Sequence, residues 1–435
     1  MIEQIMPTDF ERWPRARRLW IGAENEYDDV DAAEVKAYVN DKMWTWDGAR
    51  VYFFCDLHAD ADAFFRSLIA GGGVIKTGPG DTDFELTEEG REAIFMIGGD
   101  CFDKGPNNLR LLEVIHHLYE KGGRVELLAG NHDIRTYLGI YSAESKDPLL
   151  DHLFVRMGKK TVPLLKEIFE TIEQPKTAKL SKAEIEDIKA RFFPSEFWYE
   201  QFPRVAKDWI KEEKLEKEIR RIKEKTIEFE QRMESAGLGL AEMVQAVEKF
   251  RQLFFHKDGR YHWFFENMKL AHREGAYLYV HAGVDDSVSW ILAEKGVAYL
   301  NQEFRRLLSD NPFELYHGKI GNVFRTKYRG IDFELTEAGV KALHGNGIYA
   351  IVHGHRNILQ GQRVIMRKGM LNFECDASVD ANTRIVEGLS GPGGAVVVFD
   401  KDGKVNALST DYPYIKQFHP NFLTVAPQFG RVNVS

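Results

Sequence analysis

The sequence predicts an α/β protein in which a long helical insertion interrupts a sheet domain. Short apolar runs that end in polar or glycine residues alternate with helical patterns, as expected for a mainly parallel sheet with helices on its faces. After Gly139 the chain changes to about 130 residues of charged, helical sequence. Apolar runs of the strand type resume at Ala276, so the helices lie inside the sheet domain rather than after it.

The composition limits the function classes. The chain has 435 residues, 44% hydrophobic and 29% charged, which is the balance of an ordinary globular protein. Its net charge is -9, and Lys and Arg are interspersed with Glu, so nucleic acid is not an expected partner. No window approaches the roughly 18 to 20 apolar residues of a membrane span, and the N-terminus lacks a secretion signal. We therefore expect a cytoplasmic protein without a membrane partner.

Each part of the sheet domain has its own pattern. Residues 1–50 mix aromatic and charged side chains without a clear period, and we interpret them as an N-terminal elaboration packed on the main domain. The recurrence of Leu109, Leu112 and Ile115 at helical spacing predicts a helix over 108–119. Buried strands are predicted at 51–55, 94–99, 125–130, 276–280, 348–352, 370–373 and 395–399.

The helical insertion is assigned to residues 140–275. In its clearest part, 207–234, Glu and Lys surround an apolar stripe made of Ile210, Leu215, Ile219, Ile222, Ile227 and Met233. Two interpretations stay open, a solvated helix packed through one stripe or an arm that binds a partner protein. The insertion separates groups of polar residues described next, so it is expected to lie beside their site as a cap that sets substrate size.

Residues of the metal-binding kind follow five of the apolar runs. These groups are Asp56-Leu57-His58, Gly99-Asp100-Cys101-Phe102-Asp103, Gly130-Asn131-His132-Asp133, His281-Ala282-Gly283 and His353-Gly354-His355. Because sites in open sheets form beyond the carboxyl ends of the strands, all five groups should converge on one edge. Their carboxylates, amide and imidazoles are oxygen and nitrogen ligands for cations.

In order and local sequence these motifs resemble the metallophosphoesterase superfamily, and specifically its phosphoprotein-phosphatase-type branch. The family pattern is G-D-x-H-G, G-D-x-x-D-R-G, G-N-H-D/E, H-A/G-G and G-H, and the resemblance covers roughly residues 51–137 and 276–399. The segment from Lys104 to Asp133 is also similar to bacterial diadenosine tetraphosphatases and bacterial Ser/Thr phosphatases. The resemblance implies a four-layer α/β/β/α sandwich formed by 51–139 and 276–435.

The resemblance also implies a role for each motif residue. Asp56, His58 and Asp100 would bind one metal, and Asp100 would bridge to a second metal held by Asn131, His281 and His355. His132 would be the general acid, with Asp103 orienting its imidazole. The cofactors implied are two divalent or mixed-valence ions, manganese first, with iron or zinc possible, since mixed N and O ligands do not discriminate among them.

The sequence departs from the family pattern at the phosphate-binding position. Lys104 stands where the family has an arginine, so a bidentate fork becomes a point charge. Candidates to restore the fork are Arg135, Arg325 and Arg356. With Lys104 they form the predicted set of substrate-binding residues.

These observations predict a dinuclear metallophosphatase that hydrolyses a phosphomonoester, either a phosphoprotein or a small phosphorylated metabolite. A hydroxide held between the two metals would attack phosphorus while His132 protonates the leaving oxygen. Two alternatives stay open. The first alternative is a nucleotide pyrophosphohydrolase of the diadenosine tetraphosphatase type. The second is a non-catalytic scaffold that binds a protein partner through the helical insertion.

Overall fold

Two β-sheets form the framework of the chain. The computed structural model describes residues 6–14, 32–46, 48–145, 147–175, 179–207, 210, 212–330 and 332–420. Its strands are β1 Phe10–Arg12, β2 Val51–Phe54, β3 Val74–Lys76, β4 Phe84–Leu86, β5 Ile94–Ile97, β6 Arg124–Leu128, β7 Met268–Lys269, β8 Ala271–Glu274, β9 Tyr277–Val280, β10 Ala350–His353, β11 Arg363–Arg367, β12 Met370–Glu374, β13 Ala395–Phe399, β14 Val405–Ser409 and β15 Ile415–Phe418.

The larger sheet has eight strands in the order β1-β15-β14-β13-β2-β5-β6-β7. Strands β2, β5, β6 and β7 are parallel neighbours, whereas β13 is antiparallel to both β2 and β14. The smaller sheet has the order β11-β12-β10-β9-β8, with β9, β10 and β12 parallel. Strands β3 and β4 form a separate antiparallel pair. The parallel strands end at one edge of each sheet, where a site is expected.

Helices surround these sheets and connect their strands. They are α1 Ala32–Asn40, α2 Ala61–Gly71, α3 Glu88–Glu92, α4 Asn108–Glu120, α5 Asn131–Ser142, α6 His152–Met157, α7 Val162–Glu170, α8 Lys182–Phe192, α9 Glu196–Ala206, α10 Glu212–Ala236, α11 Leu240–Phe254, α12 His262–Glu266, α13 Asp286–Asp310, α14 Pro312–His317, α15 Glu337–Gly345 and α16 Ala381–Glu387. Shorter 3-10 helices span Pro148–Leu150, Lys159–Thr161 and Ile320–Phe324. Among the described residues, no helix has both the length and the apolar character to cross a membrane.

The two sheets pack face to face through aromatic side chains. The ring of Phe53 in the larger sheet lies 5.9 Å from that of Tyr279 in the smaller sheet, and Tyr279 lies 5.2 Å from Phe399. On the outer faces, α2 packs on β2 and β13, α4 packs on β6, and α13 packs on β8. The predicted four-layer α/β/β/α arrangement is confirmed.

Helices α6 to α12 occupy most of the range predicted to be the insertion. In α10 the predicted stripe holds at Ile222 and Met233, which are buried, but Ile227 is 57% exposed and Phe229 packs in the core instead. The insertion shares one continuous apolar core with α4 and α5. Strands β7 and β8, within the last residues of the predicted range, already belong to the sheets. The division of the chain at 139 and 276 stays a prediction.

The described part of residues 1–50 packs on the sheets. Strand β1 pairs with β15 at the edge of the larger sheet. Val35 and Val39 of α1 are buried in the core between the sheets, and the ring of Trp46 lies 5.1 Å from that of Tyr277. Residues 1–5, 15–31 and 47 of the predicted N-terminal elaboration lie outside the described residues.

Candidate metal centre

The polar groups predicted to converge do lie together at one edge of the two sheets. Asp56 and His58 follow β2, Asp100 follows β5, Asn131 begins α5 after β6, His281 follows β9, and His355 follows β10. All six side chains are at least 92% buried. Their ligand atoms fall into two clusters that share Asp100.

The first cluster consists of Asp56, His58 and Asp100. His58 Nε2 lies 4.0 Å from Asp56 Oδ1 and 3.9 Å from Asp100 Oδ2. His58 Nδ1 lies 3.0 Å from the carbonyl oxygen of Phe102, which can only accept, so Nδ1 carries the proton and Nε2 offers its lone pair. That lone pair accepts from Lys104 Nζ at 2.6 Å. The cluster therefore presents two carboxylates and one imidazole lone pair to a cation.

The second cluster consists of Asp100, His281 and His355, with the Asn131 amide beside it. His281 Nδ1 donates to the carbonyl of Gly98 at 2.8 Å, which leaves Nε2 unprotonated, 3.5 Å from Asp100 Oδ1. The Asn131 amide can turn its nitrogen to the imidazoles and donate to His281 Nε2 at 3.2 Å and His355 Nδ1 at 2.6 Å. When the amide oxygen faces the two imidazoles instead, the lone pairs of the oxygen and of the imidazole nitrogens converge, which is the arrangement that suits a cation.

Buried carboxylates at the junction of the clusters repel one another. Burial and the neighbouring Asp100 carboxylate raise the pKa of Asp56 above its ordinary value. A bound cation would relieve both the repulsion and the cost of burial. The residues present therefore fit two metal ions that share Asp100.

The backbone is strained at these ligand positions. Asp56, His58, Asp100 and His355 have φ of 51°, 42°, 57° and 67°, in the left-handed region that non-glycine residues rarely adopt. Hydrogen bonds stabilise this strained conformation, since the backbone amides of Asp56 and His58 donate to the carbonyls of Gly99 and Asp100 respectively. Such strain is concentrated at functional sites because it fixes side-chain direction.

Two glycines permit the close approach of the loops. A Cβ on Gly130 would lie 2.0 Å from the Asp100 nitrogen, and a Cβ on Gly354 would lie 2.0 Å from Asp56 Oδ2. Both distances are far below van der Waals contact. Glycine before Asn131 and before His355 is therefore a steric requirement of the site.

Asp133 anchors the loop that carries Asp100. Its buried carboxylate accepts backbone hydrogen bonds from Asp100 at 2.8 Å, Cys101 at 2.9 Å, Phe102 at 3.1 Å and Gly130 at 3.2 Å. The place of Asp133 in the motif Gly130-Asn131-His132-Asp133 predicted no role for it. Its function is to position the residue that the two clusters share.

His132 and Asp103 form a pair beside the clusters. His132 Nδ1 lies 2.7 Å from Asp103 Oδ2, and His132 Nε2 lies 3.9 Å from Asp100 Oδ2. Burial lowers the pKa of His132 below its ordinary value, although the Asp100 and Asp103 carboxylates act in the opposite direction. The Thr161 hydroxyl donates to Asp103 Oδ2 at 3.3 Å. This hydroxyl comes from the helical insertion, so the insertion touches the predicted general-acid pair directly.

A cavity of about 730 Å³ opens over the clusters. Among the predicted substrate-binding residues, Lys104 and Arg135 line it. The structure places Arg325 and Arg356 elsewhere, because Arg325 donates to the carbonyls of His317 and Gly318 and Arg356 donates to Glu374. Other cations that line the cavity were not found from the sequence, since they stand in no motif: Lys159, Lys160, Arg232 and Lys327.

Comparison with protein families now adds an independent observation. Residues 49–233 match the family model described as calcineurin-like phosphoesterase. This range contains Asp56, His58, Asp100 and Asn131, and the structure brings His281 and His355 to the same place. Residues 49–233 are thus similar to a calcineurin-like phosphoesterase domain. This similarity and the two donor clusters support a metal-dependent hydrolase.

No curated protein sequence matches this chain. Solved structures similar to it include a cold-active protein tyrosine phosphatase, with a TM-score of 0.43 and 13% identity over 91% of this chain and 86% of that chain. A cold-active protein-tyrosine phosphatase of a psychrophile Shewanella gives a TM-score of 0.40 and 14% identity, with coverages of 92% and 88%. A protein serine/threonine phosphatase from Saccharomyces cerevisiae, described as similar to human phosphatase PP5, gives 0.36 and 11%, with coverages of 89% and 87%.

Proposed function

We propose that this protein hydrolyses a phosphomonoester, a phosphoprotein or a small phosphorylated metabolite, with two metal ions. The observation that carries the proposal is the pair of buried donor clusters that share Asp100, with His132 and Asp103 beside them. The order of the motifs also supports the phosphoprotein-phosphatase-type branch of the superfamily. The cytoplasm remains the expected location.

Asp56, His58 and Asp100 would hold one metal, and Asp100, Asn131, His281 and His355 the other. When bound, two divalent cations supply an activated water and charge stabilisation for an in-line displacement at phosphorus. Manganese is the first choice, with iron or zinc as alternatives. Because Asp100 belongs to both clusters, its position would affect the binding of both metals.

His132 is positioned to protonate the leaving group. Its Nδ1 is committed to Asp103, so Nε2 is the atom that faces the cavity and can deliver a proton to the leaving oxygen. Asp103 fixes the orientation of the imidazole and stabilises its protonated form. Asp103 is itself held by the side chain of Asn108, which accepts from its backbone amide at 2.9 Å.

Lys104 and Arg135 would bind the oxygens of the phosphate. Both line the cavity, and Lys104 Nζ already lies beside the first cluster. Arg135 Nε is buried and has no hydrogen-bond partner in the part of the chain that the structure describes, and Arg135 Nη1 comes within 3.3 Å of the Asn131 amide. A planar guanidinium at this place supplies the bidentate contact that a lysine at 104 does not.

The test is hydrolysis of p-nitrophenyl phosphate by the metal-stripped protein before and after addition of manganese. We expect activity to appear with manganese and to disappear with a chelator. His132→Asn should lower kcat about 100-fold to 10,000-fold, the usual contribution of a general acid. The matched control is His256→Asn, an exposed histidine away from the cavity.

Three outcomes would contradict the proposal in different ways. Full activity of His132→Asn would remove the assigned acid. Inactivity of the parent with manganese, iron and zinc would favour the scaffold alternative. Release of a nucleotide from a dinucleoside polyphosphate, without cleavage of simple monoesters, would favour the pyrophosphohydrolase alternative.

A further inference from the structure

A short turn of the helical insertion forms one wall of the catalytic cavity. This lysine turn consists of Gly158, Lys159, Lys160 and Thr161 and leads directly into α7. Gly158 has φ of 85°, a left-handed conformation that glycine adopts without strain. The fully buried Thr161 ties the turn to Asp103 through its hydroxyl. The two lysines are therefore held beside the catalytic loop by the fold.

Both lysines are available for a ligand. Among the described residues Lys159 forms an ion pair with Glu228 alone, at 3.2 Å, and both side chains are about half exposed, so the pair contributes little. Lys160 lines the cavity and forms no ion pair with any residue that the structure describes. Partial burial and the nearby Lys104 lower the pKa of Lys160. The turn thus gathers positive charge at a cost that a bound anion would offset.

The cavity as a whole has more positive charge than one phosphate requires. Six cationic side chains line it, Lys104, Arg135, Lys159, Lys160, Arg232 and Lys327, against the carboxylates of Asp56, Asp100 and Glu387. Two of these carboxylates belong to the predicted metal clusters. The first turn of α7 also lines the cavity at Pro163, so the positive end of this helix faces it.

Five of these six cations, all except Lys327, divide into two groups by position. Lys104 and Arg135 lie against ligand residues of the two clusters, where the reacting phosphate would sit. Lys159, Lys160 and Arg232 come from the insertion. A cavity of about 730 Å³ has the size of sites that enclose small organic ligands.

We propose that the lysine turn and Arg232 form a second anion subsite, and that the substrate is a small molecule with two phosphate groups, one cleaved at the metals and one held by the insertion. This inference rests on the proposed phosphomonoesterase function. It names the substrate class of the same cavity and gives the insertion a direct role in selecting it.

The subsite is tested by binding, separately from catalysis. The probes are butylphosphonate and alkane-α,ω-diphosphonates with three to six carbons, which are not hydrolysed, added to the manganese-loaded full chain and followed by calorimetry. We expect at least one diphosphonate to bind more than tenfold tighter than butylphosphonate. Lys160→Gln should reduce that ratio about tenfold, the effect of one charge-assisted contact.

The matched control is Lys182→Gln, which removes one exposed lysine of the insertion that does not line the cavity. It should leave the affinity ratio unchanged. Equal affinity of the parent for mono- and diphosphonates, or an unchanged ratio in Lys160→Gln, would overturn the second subsite. An equal fall of the affinity ratio in Lys182→Gln would show that the effect depends on the overall charge of the protein rather than on Lys160. It would also overturn the second subsite.

Hydrolysis of butyl phosphate and of the matching alkanediol bisphosphates separates this inference from the function on which it rests. Cleavage of both with equal kcat/KM would leave the phosphomonoesterase standing and contradict the subsite. Lysine-dependent binding of the diphosphonate without hydrolysis of either phosphate would support the subsite and contradict the phosphomonoesterase.

Discussion

Replacing Asp133 by asparagine tests whether this side chain positions the residue shared by both metal clusters. The carboxylate is fully buried and accepts four backbone N–H groups, two on each oxygen. An asparagine keeps one oxygen and turns an NH₂ group toward the other two donors. Two hydrogen bonds to a charged acceptor are lost, each worth about 1.5 to 3 kcal/mol. The free energy of unfolding should therefore fall by roughly 3 to 6 kcal/mol.

The assay is urea denaturation of Asp133→Asn followed by tryptophan fluorescence, with manganese affinity measured under native conditions. Because the strained loop at Asp100 loses its anchor, manganese should bind about 10-fold to 100-fold more weakly. Asp187→Asn, on the exposed face of α8, is the control and should stay within about 0.5 kcal/mol of the parent. If the free energy of unfolding of Asp133→Asn fell by less than about 1 kcal/mol and its manganese affinity were unchanged, the positioning role of Asp133 would be refuted.

Two further predictions concern the insertion. Thr161→Val keeps the shape of the side chain but removes the hydroxyl that donates to Asp103, so kcat should fall about fivefold for a hydrogen bond worth ~1 kcal/mol. Thr171→Val, which loses only a contact within its own helix end, is the control, and equal kcat for both would contradict the link. Burial lowers the pKa of His152 to about 3, so the unfolded chain binds the proton first as pH falls below about 6.5, and stability should decrease by up to ~2 kcal/mol at pH 5. His152→Phe should itself be less stable than the parent, because it loses the contact with His317. Its free energy of unfolding should nevertheless fall less between pH 7 and pH 5 than that of the parent in denaturation curves. An equal fall in the two proteins would contradict the assignment.

The sequence predicted seven of the 15 described strands and the convergence of their polar ends, because both depend on local pattern. An apolar run that ends in Asp or His places that residue at the sheet edge whatever the rest of the chain does. Asp56 and His281 are thus found at the expected edge although they lie 225 positions apart in the sequence. The contact of His132 with Asp103 also follows, since the first turn of α5 and the loop after β5 both lie at that edge.

The cavity walls could not be predicted in the same way. Whether an arginine is available depends on which groups the fold places around it, and no local pattern records this. Arg356 stands next to the ligand candidate His355, yet its guanidinium donates to the buried Glu374. Lys160 stands in a charged helical region without a motif, yet the turn at Gly158 directs it to the cavity.

The role of Asp133 shows an intermediate case. Its motif is visible in the sequence, but three of its four bonding partners are backbone amides of residues 31 to 33 positions earlier. Backbone amides have no sequence signature, so only tertiary structure reveals which side chain satisfies them. Residues that hold a site in place are therefore harder to find from sequence than residues that bind its ligands.

The contacts of the insertion decide how its function can be studied. Glu167 of α7 accepts hydrogen bonds from the backbone of Asn108 and Leu109, and the Asn108 side chain in turn accepts from Asp103. A Cβ on Gly139 would lie 2.3 Å from Met157, which shows how closely α5 and α6 pack. Deletion of 140–275 would also remove β7 and β8 from the sheets and expose a shared core.

A deletion variant would therefore report on folding before it reports on specificity. Single substitutions in the lysine turn avoid this difficulty, because Lys160 and Thr161 are adjacent in the chain but their side chains contact different parts of the molecule. Lys160 lines the cavity, whereas Thr161 is buried against Asp103. If the assignments are right, Lys160→Gln changes which ligands bind and Thr161→Val changes how fast bound substrate reacts. That separation within one turn would distinguish a cap that selects substrates from a segment that merely completes the core.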